Sequence, residues 1–430
     1  MSSPHVFPDG PYRRNYFFVG GEYVPEEEEE EGNSNSNADK KDKSRKYGGY
    51  VMKGQAYVEC LSPVEVEGVH RRGGGRRRRP FPLVLIHGAG QSGLNWLHTP
   101  DNRPGWASYF LARGFTVYIM DTPSRGRSVP DFGQNHTTFT TGFVEAWFTA
   151  PSPGKWAQAG KHSQWPGTGQ RGDPVFDAFY ASTYPSVTDI AAYQSSQASA
   201  IAALLHHIAT PAILLTHSQG SPGGWLAADI CPELICAIIA VEPNGPPFAG
   251  VHPHNGAAAR AWGLTDIPIA YSPPVTNVDE LDLVTIPSTE PGRDDMVLQR
   301  QDAGSSTPRN GGVVRRLKNL QHIPVLVEVG EASYHAPYDH ATVAYLRQAG
   351  VECDFIRLED RGILGNGHMQ MLELNNLEIA AVLEGWISTR VEGEGQNQGE
   401  RQGQGEGRGE RGRGVQSVVM NGGDESFSFD

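Results

Sequence analysis

The chain has 430 residues, with 49 acidic and 36 basic side chains and a formal net charge of −13. Binding to nucleic acid depends on neutralising phosphates with Lys and Arg, so this balance argues against a nucleic acid as the main partner. No apolar core follows Met1, no apolar run approaches the roughly 18 residues of a membrane span, and the four cysteines suit a reducing compartment. We therefore expect a cytoplasmic protein without a membrane span. Secretion is not excluded, and a glycosylation sequon at Asn135 would matter only in that case.

Composition separates one folded region from several low-complexity segments. We predict a single domain over residues 11–390. The acidic and Asn/Ser-rich run over 26–48 should be a disordered insertion between two early strands, and the Gly/Glu/Arg-rich tail over 391–430 should be disordered as well. Residues 68–79 form a basic Gly/Arg loop, which we interpret as solvated rather than as a nuclear-localisation or anion-binding patch.

Apolar runs alternate with helical patterns through the rest of the domain. In chain order, the sequence predicts a strand over 79–86, a helix over 105–113, a strand over 115–120, a helix over 186–208, strands over 213–215, 235–241, 325–329 and 353–358, and a closing helix over 374–387. Strand, helix, strand in this order indicates a parallel sheet. The fold class predicted is therefore a doubly wound, mainly parallel α/β domain with its chemistry at the carboxyl ends of the strands.

Two long insertions interrupt the alternation. Residues 130–185 carry many aromatic side chains interleaved with Gly and Pro, which is typical of an apolar lid without long helices; the aromatics could form the lid core or contact a substrate. Residues 244–321 are more polar and richer in proline, so we expect a cap made mostly of loops, with partial disorder around 292–312.

The strand over 213–215 ends in Thr-His-Ser218-Gln-Gly220 and runs into a helix. This is the form of a nucleophile elbow, in which a serine sits on a sharp turn with its hydroxyl exposed. The usual pattern is Gly-x-Ser-x-Gly, because crowding at a strained turn favours residues without a Cβ, and Thr216 replaces the first glycine here. Ser218 is the predicted nucleophile.

A second component of such a site follows the strand over 79–86. His87-Gly-Ala-Gly90 is a run of small residues that lets backbone N–H groups face a developing oxyanion. We predict that the N–H groups of Ala89 and of Gln219, the residue after the nucleophile, are the two donors.

Candidates for a base and an acid come after later strands. His368 lies in a Gly-rich loop after the last predicted strand, where a base for Ser218 is expected. Two glutamates end strands, Glu242 and Glu331, and either could hold the histidine. The order nucleophile, acid, histidine resembles that of the α/β-hydrolase superfamily, which implies an α/β-hydrolase fold.

A finer resemblance favours one acid. The following motifs together look like the Esterase 713-like group of bacterial and fungal esterases: Phe17-Phe-Val-Gly-Gly-Glu-Tyr-Val24, Gln55-Ala-Tyr-Val-Glu-Cys60, Thr99-Pro-Asp-Asn-Arg-Pro-Gly-Trp106, Val241-Glu-Pro243 and Gly365-Asn-Gly-His-Met369. That group uses a Ser/Glu/His triad with the acid one strand early. The resemblance implies Ser218, Glu242 and His368 as the catalytic residues, with Glu331 as the alternative acid and a carboxylic ester as the substrate.

Other chemistry finds less support in the sequence. His335, Asp339 and His340, and also the His206-His207 pair, lack a third and fourth ligand at a recognised spacing, so no metal is expected. No phosphate loop or dinucleotide fingerprint occurs, so no cofactor is expected. Thioesterase, lactonase, peptidase or acyltransferase activity would use the same machinery, and a non-catalytic binding protein could retain the fold. The sequence sets neither the physiological substrate nor the oligomeric state.

Overall fold

The structure is a computed structural model that describes residues 11–25, 49–64, 78–131, 133–250, 259–301 and 313–393. The disorder predicted for 26–48, the basic loop over 68–77, the cap residues 302–312 and the tail beyond residue 393 lie outside the described residues. Val391, placed in the tail by the prediction, is buried in a final helical turn, Ile387–Glu392.

An eight-stranded sheet forms the centre of the domain. In chain order its strands are β1 Tyr12–Pro25, β2 Tyr50–Pro63, β3 Leu83–Ile86, β4 Val117–Asp121, β5 Ala212–Ser218, β6 Ile235–Pro243, β7 Val325–Val329 and β8 Cys353–Arg357. Their spatial order is β1-β2-β4-β3-β5-β6-β7-β8. All neighbours from β4 to β8 pair in parallel, whereas β2 is antiparallel to both β1 and β4.

Helices cover both faces of this sheet. The α-helices are α1 Trp106–Ala112, α2 Thr141–Val144, α3 Pro174–Ala181, α4 Ile190–Ile208, α5 Gly220–Ile230, α6 Asp339–Gln348 and α7 Asn376–Trp386. Because successive residues of a strand face opposite sides, Leu214 packs in one core with α4, α5 and α6, while Ile213 packs in a second core with α1 and α7. The predicted doubly wound, mainly parallel fold is confirmed.

The helix predicted over 186–208 begins later than expected. Asp189 accepts a hydrogen bond from the Ala192 N–H as the N-cap of α4, so the helix starts at Ile190. Ser186–Val187 instead forms a two-residue strand that pairs with His136–Thr137.

The two insertions contain only short elements among the described residues. Residues 130–185 hold α2, a π-helical turn at Glu145–Thr149, a 3₁₀ turn at Ala159–Lys161 and α3. The cap contains the strand pairs Leu283–Ile286 with Met296–Gln299 and Tyr271–Ser272 with Arg316–Leu317, so part of the stretch expected to be disordered is a strand. None of the helices in the described ranges is long and apolar enough to cross a membrane.

Candidate active site

Ser218 lies on a strained turn at the end of β5. Its backbone φ is +51°, a left-handed conformation that is uncommon for residues other than glycine. Gln219 is the N-cap of α5, and Gly220 is the first residue of that helix. A Cβ on Gly220 would lie 2.7 Å from the carbonyl oxygen of His87, so this position needs glycine. The strand-to-helix elbow predicted around Ser218 is therefore present.

Thr216, which replaces the first glycine of the usual elbow pattern, has room for its side chain because residue 224 of α5 is a glycine. A Cβ on Gly224 would lie 2.8 Å from Cγ2 of Thr216. The hydroxyl of Thr216 also forms a 3.0 Å hydrogen bond with the hydroxyl of Ser221. Both contacts tie the end of β5 to the first turns of α5.

Glu242 lies near the end of β6, the strand next to β5, and is fully buried. Its Oε1 accepts a 2.9 Å hydrogen bond from the Gly330 N–H, and its Oε2 accepts one of 2.6 Å from the Ser333 hydroxyl. Nδ1 of His368 is 2.6 Å from the same Oε2. Burial raises the pKa of Glu242 to about 7, because desolvation disfavours the charged carboxylate.

His368 is 2% exposed and is held on several sides. Its carbonyl oxygen is 3.0 Å from Nε2 of His217, and its Nε2 is 3.3 Å from the Tyr334 hydroxyl. The preceding N–H, of Gly367, donates to both carboxylate oxygens of Glu373 at 2.9 and 3.1 Å. Burial, followed by the nearby His335, lowers the pKa of His368 well below 6.5.

Glu331 lies in a different environment. Its Oε1 accepts a 2.7 Å hydrogen bond from the Lys161 ammonium group of the lid. Its Oε2 accepts one of 3.0 Å from the Gly365 N–H. These contacts join the lid to the loop that carries His368. The carboxylate that contacts Nδ1 of His368 is that of Glu242, not that of Glu331.

The loop over His87–Gly90 packs directly on the elbow. A Cβ on Gly88 would lie 3.0 Å from Cβ of Ser218 and 2.9 Å from Nδ1 of His217. His87 braces the loop: its Nδ1 donates to the Gly88 carbonyl at 2.9 Å, and its Nε2 accepts from the Thr122 N–H at 3.2 Å. Burial lowers the pKa of His87 to about 4, so this imidazole is neutral near pH 7. Ala89 lies in this loop and Gln219 directly follows Ser218, so the two residues lie on segments that are in contact. That their N–H groups donate to an oxyanion stays a prediction.

Aromatic side chains of the lid cover the histidine. The ring centroid of Phe148 is 5.3 Å from that of His368. Trp147 and Trp156 pack edge-on against Tyr334, with ring centroids 5.7 and 6.2 Å away. Phe148 and Trp156 are buried and Trp147 is half-buried, so these lid aromatics pack as part of the site.

The lid is also anchored by polar contacts to the loop that carries His368. Nε2 of His162 is 2.8 Å from Oε1 of Glu373. The Ser163 N–H donates to the Gly365 carbonyl at 3.0 Å. This part of the lid is thus built into the wall of the site.

Three buried groups could be considered as metal ligands. Ligand atoms of Glu242, His335 and His368 all lie within 4.8 Å of one another. The two imidazole rings are nearly parallel, however, with centroids 4.7 Å apart and an interplanar angle of 6°. Ring lone pairs lie in the ring plane, so stacked rings cannot direct them at one ion. Nδ1 of His335 is instead 3.1 Å from Oδ1 of Asp339.

Sequence reasoning missed several residues at the site. Ser333 and Tyr334 follow β7, in a segment where the sequence pointed only to Glu331 and, as a metal ligand that it did not favour, to His335. His217, next to Ser218, gives no signal in the sequence beyond its place in the strand. The one available signal was a run of polar and aromatic residues directly after a predicted strand, where functional side chains collect in parallel sheets.

Comparison with known proteins agrees with this architecture. The model of a family described as the alpha/beta hydrolase family matches residues 83–382. This chain belongs to the α/β-hydrolase family. It is also 47% identical over 312 residues, 72% of its own length and 82% of the relative's, to a protein named "Probable secreted lipase phiG" from Fungal sp. (strain ATCC 74256).

A solved structure shares the fold. The structure described as that of a novel bacterial esterase has a TM-score of 0.56 and 22% sequence identity, covering 89% of this chain and 98% of that chain. The cytoplasmic location expected from the sequence finds no support in these comparisons, because the fungal relative is named as secreted.

We predict that Gly224→Ala lowers the free energy of unfolding by about 1–3 kcal/mol, because the new Cβ would overlap the Thr216 methyl group. Thr216→Ser removes that methyl and keeps the hydroxyl bonded to Ser221, so the double variant should recover most of the loss. Chemical denaturation measures both effects. Gly385→Ala in α7 is the control, since an added Cβ there meets nothing within 4 Å. Additive effects of the two substitutions would contradict this account.

Proposed function

We propose that this protein is a serine hydrolase that cleaves carboxylic esters through an acyl-enzyme on Ser218, with His368 as the base and Glu242 as the acid that orients it. The observation that carries the proposal is the 2.6 Å contact between Nδ1 of His368 and Oε2 of Glu242, next to a serine held at φ +51° on an elbow. The lipase name of the fungal relative and the shared family support ester hydrolysis.

The proposed reaction has two acyl-transfer steps. His368 takes the proton of the Ser218 hydroxyl while the serine oxygen attacks the ester carbonyl carbon, and the carbonyl electrons move onto oxygen. N–H groups of Ala89 and Gln219 bind this oxyanion, each contributing about 2.7–4 kcal/mol of transition-state stabilisation. As the intermediate collapses, the alcohol leaves with the proton from His368. Water then attacks the acyl-enzyme in the same way and restores Ser218.

The environments of the two glutamates support Glu242 as the acid. A carboxylate that orients a catalytic histidine accepts the Nδ1 proton, so that Nε2 is left free to act as the base. The Gly330 N–H and the Ser333 hydroxyl donate to Glu242 and fix its position. Glu331 is engaged by Lys161 and by the Gly365 N–H, away from that nitrogen.

The lid indicates the class of ester. Phe148, Trp147 and Trp156 give the region around His368 an apolar surface, which suits an apolar acyl or alcohol group rather than a charged one. We infer that small to medium carboxylic esters are the substrates.

Substitution of the three candidate residues tests the proposal. With p-nitrophenyl esters from acetate to decanoate, Ser218→Ala should lower kcat by about 10⁶-fold and Glu242→Gln by about 10⁴-fold. Glu331→Gln is the matched control: it keeps the size of the side chain and one of the two oxygens that accept from Lys161 and Gly365, and it should leave kcat near that of the wild type. Loss of hydrolysis in Glu331→Gln, with Glu242→Gln still active, would assign the role of the acid to Glu331 instead.

Covalent labelling separates catalysis from mere binding. A fluorophosphonate should label the wild type and not Ser218→Ala, because only an activated serine reacts. Absence of both labelling and hydrolysis across the ester series would favour a binding protein with an α/β-hydrolase fold.

The pH dependence follows from the burial of His368. The base must be neutral to accept the serine proton, and a lowered pKa keeps the imidazole neutral to lower pH. We therefore expect kcat/KM to fall on acidification with a midpoint below pH 6.5, the ordinary value for His. Rates measured from pH 4 to 9, with recovery of activity after return to pH 7.5 as a stability control, give the midpoint. A midpoint above 6.5 would show that the charge of Glu242 outweighs burial.

A further inference from the structure

Arg125, in the loop that follows β4, is a cation buried beside the elbow. Its side chain is 1% exposed. Arg127, two residues further on, pairs with the carboxylates of Asp121 and Glu59, whereas none of the ion pairs within the described residues involves Arg125. Burying a charge costs free energy that an ion pair usually offsets. The groups that accept hydrogen bonds from the Arg125 side chain are neutral, and one of them belongs to the residue after Ser218.

The guanidinium group of Arg125 joins the elbow to the segment at which the lid ends. Its Nη2 donates to Oε1 of Gln219 over 3.4 Å. Its Nη1 donates to the Ser186 hydroxyl over 2.9 Å and also to the Pro185 carbonyl. Because the fork of an Arg side chain is planar and rigid, the directions of these bonds are fixed. Gln219 is thus held in a set position relative to residues 185–186.

The same segment holds the other half of the predicted oxyanion site. The Tyr184 N–H donates to the Gly90 carbonyl over 2.8 Å. Gly90 directly follows Ala89, whose N–H is one of the two predicted donors. A chain of contacts therefore runs from the loop over 87–90, through residues 184–186 and Arg125, to Gln219.

A second path leads from Arg125 to the loop over 87–90. The guanidinium lies over the ring of Tyr193 on α4, 5.1 Å from its centroid. The Tyr193 hydroxyl is 2.8 Å from the Thr122 hydroxyl, and the Thr122 N–H donates to Nε2 of His87 over 3.2 Å. Both segments that carry a predicted donor are therefore connected to one side chain.

We propose that Arg125 is a positioning residue that keeps the N–H groups of Ala89 and Gln219 at the spacing that an oxyanion needs. The inference rests on the proposed function. Two donors stabilise the developing charge together only when each lies about 2.7–3.1 Å from the same oxygen. The two segments must therefore keep their separation during the reaction. Arg125 acts through Gln219 and residues 184–186, not on the substrate itself.

The test is Arg125→Lys, which keeps the charge and removes the fork that bonds in two directions. We expect kcat for p-nitrophenyl esters to fall by about 100-fold, the effect of a misplacement of about 1 Å. KM should change little, because the oxyanion forms only as the serine attacks. Arg127→Lys is the matched control: the substitution and the loop are the same, but its partners are Asp121 and Glu59. It should retain the wild-type kcat. An unchanged kcat in Arg125→Lys would overturn the proposal.

A second variant tests the contact at the elbow alone. Gln219→Ala removes the acceptor for Nη2 of Arg125 and keeps the backbone N–H, so kcat should fall here as well. The double variant should lose little more than Arg125→Lys, because the two side chains form one contact. Thermal unfolding reports the fold of each protein, and if Arg125→Lys does not fold, Gln219→Ala decides. Wild-type rates in Gln219→Ala, or losses that multiply in the double variant, would contradict the assigned role.

A transition-state analogue separates positioning from packing. An alkyl trifluoromethyl ketone forms a hemiketal with an active serine and so creates an oxyanion, whereas the methyl ketone of the same chain length binds without this charge. In Arg125→Lys, Ki for the first should rise by the factor by which kcat/KM falls, and Ki for the second should stay near the wild-type value. Equal changes in both constants would show a packing role instead. A wild type that neither hydrolyses esters nor reacts with a fluorophosphonate would remove the proposed function itself.

Discussion

The contact between Glu242 and His368 is the interaction around which the site is arranged. Both side chains are buried, so neither can be solvated by water. A buried carboxylate without partners would be strongly destabilising, and here the Gly330 N–H, the Ser333 hydroxyl and the imidazole supply three. Burial raises the pKa of Glu242 to about 7 and lowers the pKa of His368, because desolvation disfavours the charged form of each group. Loss of any one of these three partners would leave the buried carboxylate of Glu242 with an unsatisfied hydrogen-bond position, which is destabilising.

Two residues of the site have strained backbone conformations near the ends of neighbouring strands. Ser218 and Glu242 have φ values of +51° and +45°, and each such conformation costs about 1–3 kcal/mol for a residue with a Cβ. The strands that carry them are parallel neighbours, with Ser218 opposite Pro243 after a shift in register. The surrounding packing maintains these conformations, since Gly88 and Gly220 allow the adjacent loop to approach the elbow closely.

The lid and the loop that carries His368 form one wall. Lys161, His162 and Ser163 all contact that loop or the glutamates that brace it. Glu373 holds the loop by accepting from the Gly367 N–H while it faces His162. Polar contacts hold the lid against this loop, and aromatic rings of the lid face the imidazole. The position of His368 therefore depends on the lid that covers it.

Local sequence signals were sufficient for the sheet and for the elbow. Apolar runs predicted the core strands from β3 to β8 within a few residues, because a strand buried on both faces consists mostly of apolar residues. Ser218 and the glycine-rich loop at His87 could be recognised because their constraints are local: a sharp turn needs small residues nearby. The start of α4 was misplaced because a short pairing with the lid takes residues 186–187, and that pairing depends on a distant segment.

The environments of the two glutamates, and the presence of Tyr334 and Ser333 at the site, depend on contacts between segments 34 to 170 residues apart in the chain. Both glutamates end a strand and look equivalent in sequence. Strand order and side-chain direction place Glu242 at Nδ1 of His368 and turn Glu331 toward Lys161. Sequence thus specifies which residue types stand at the strand ends, whereas tertiary packing decides which of them meet, because a hydrogen bond depends on distances that separation along the chain does not set.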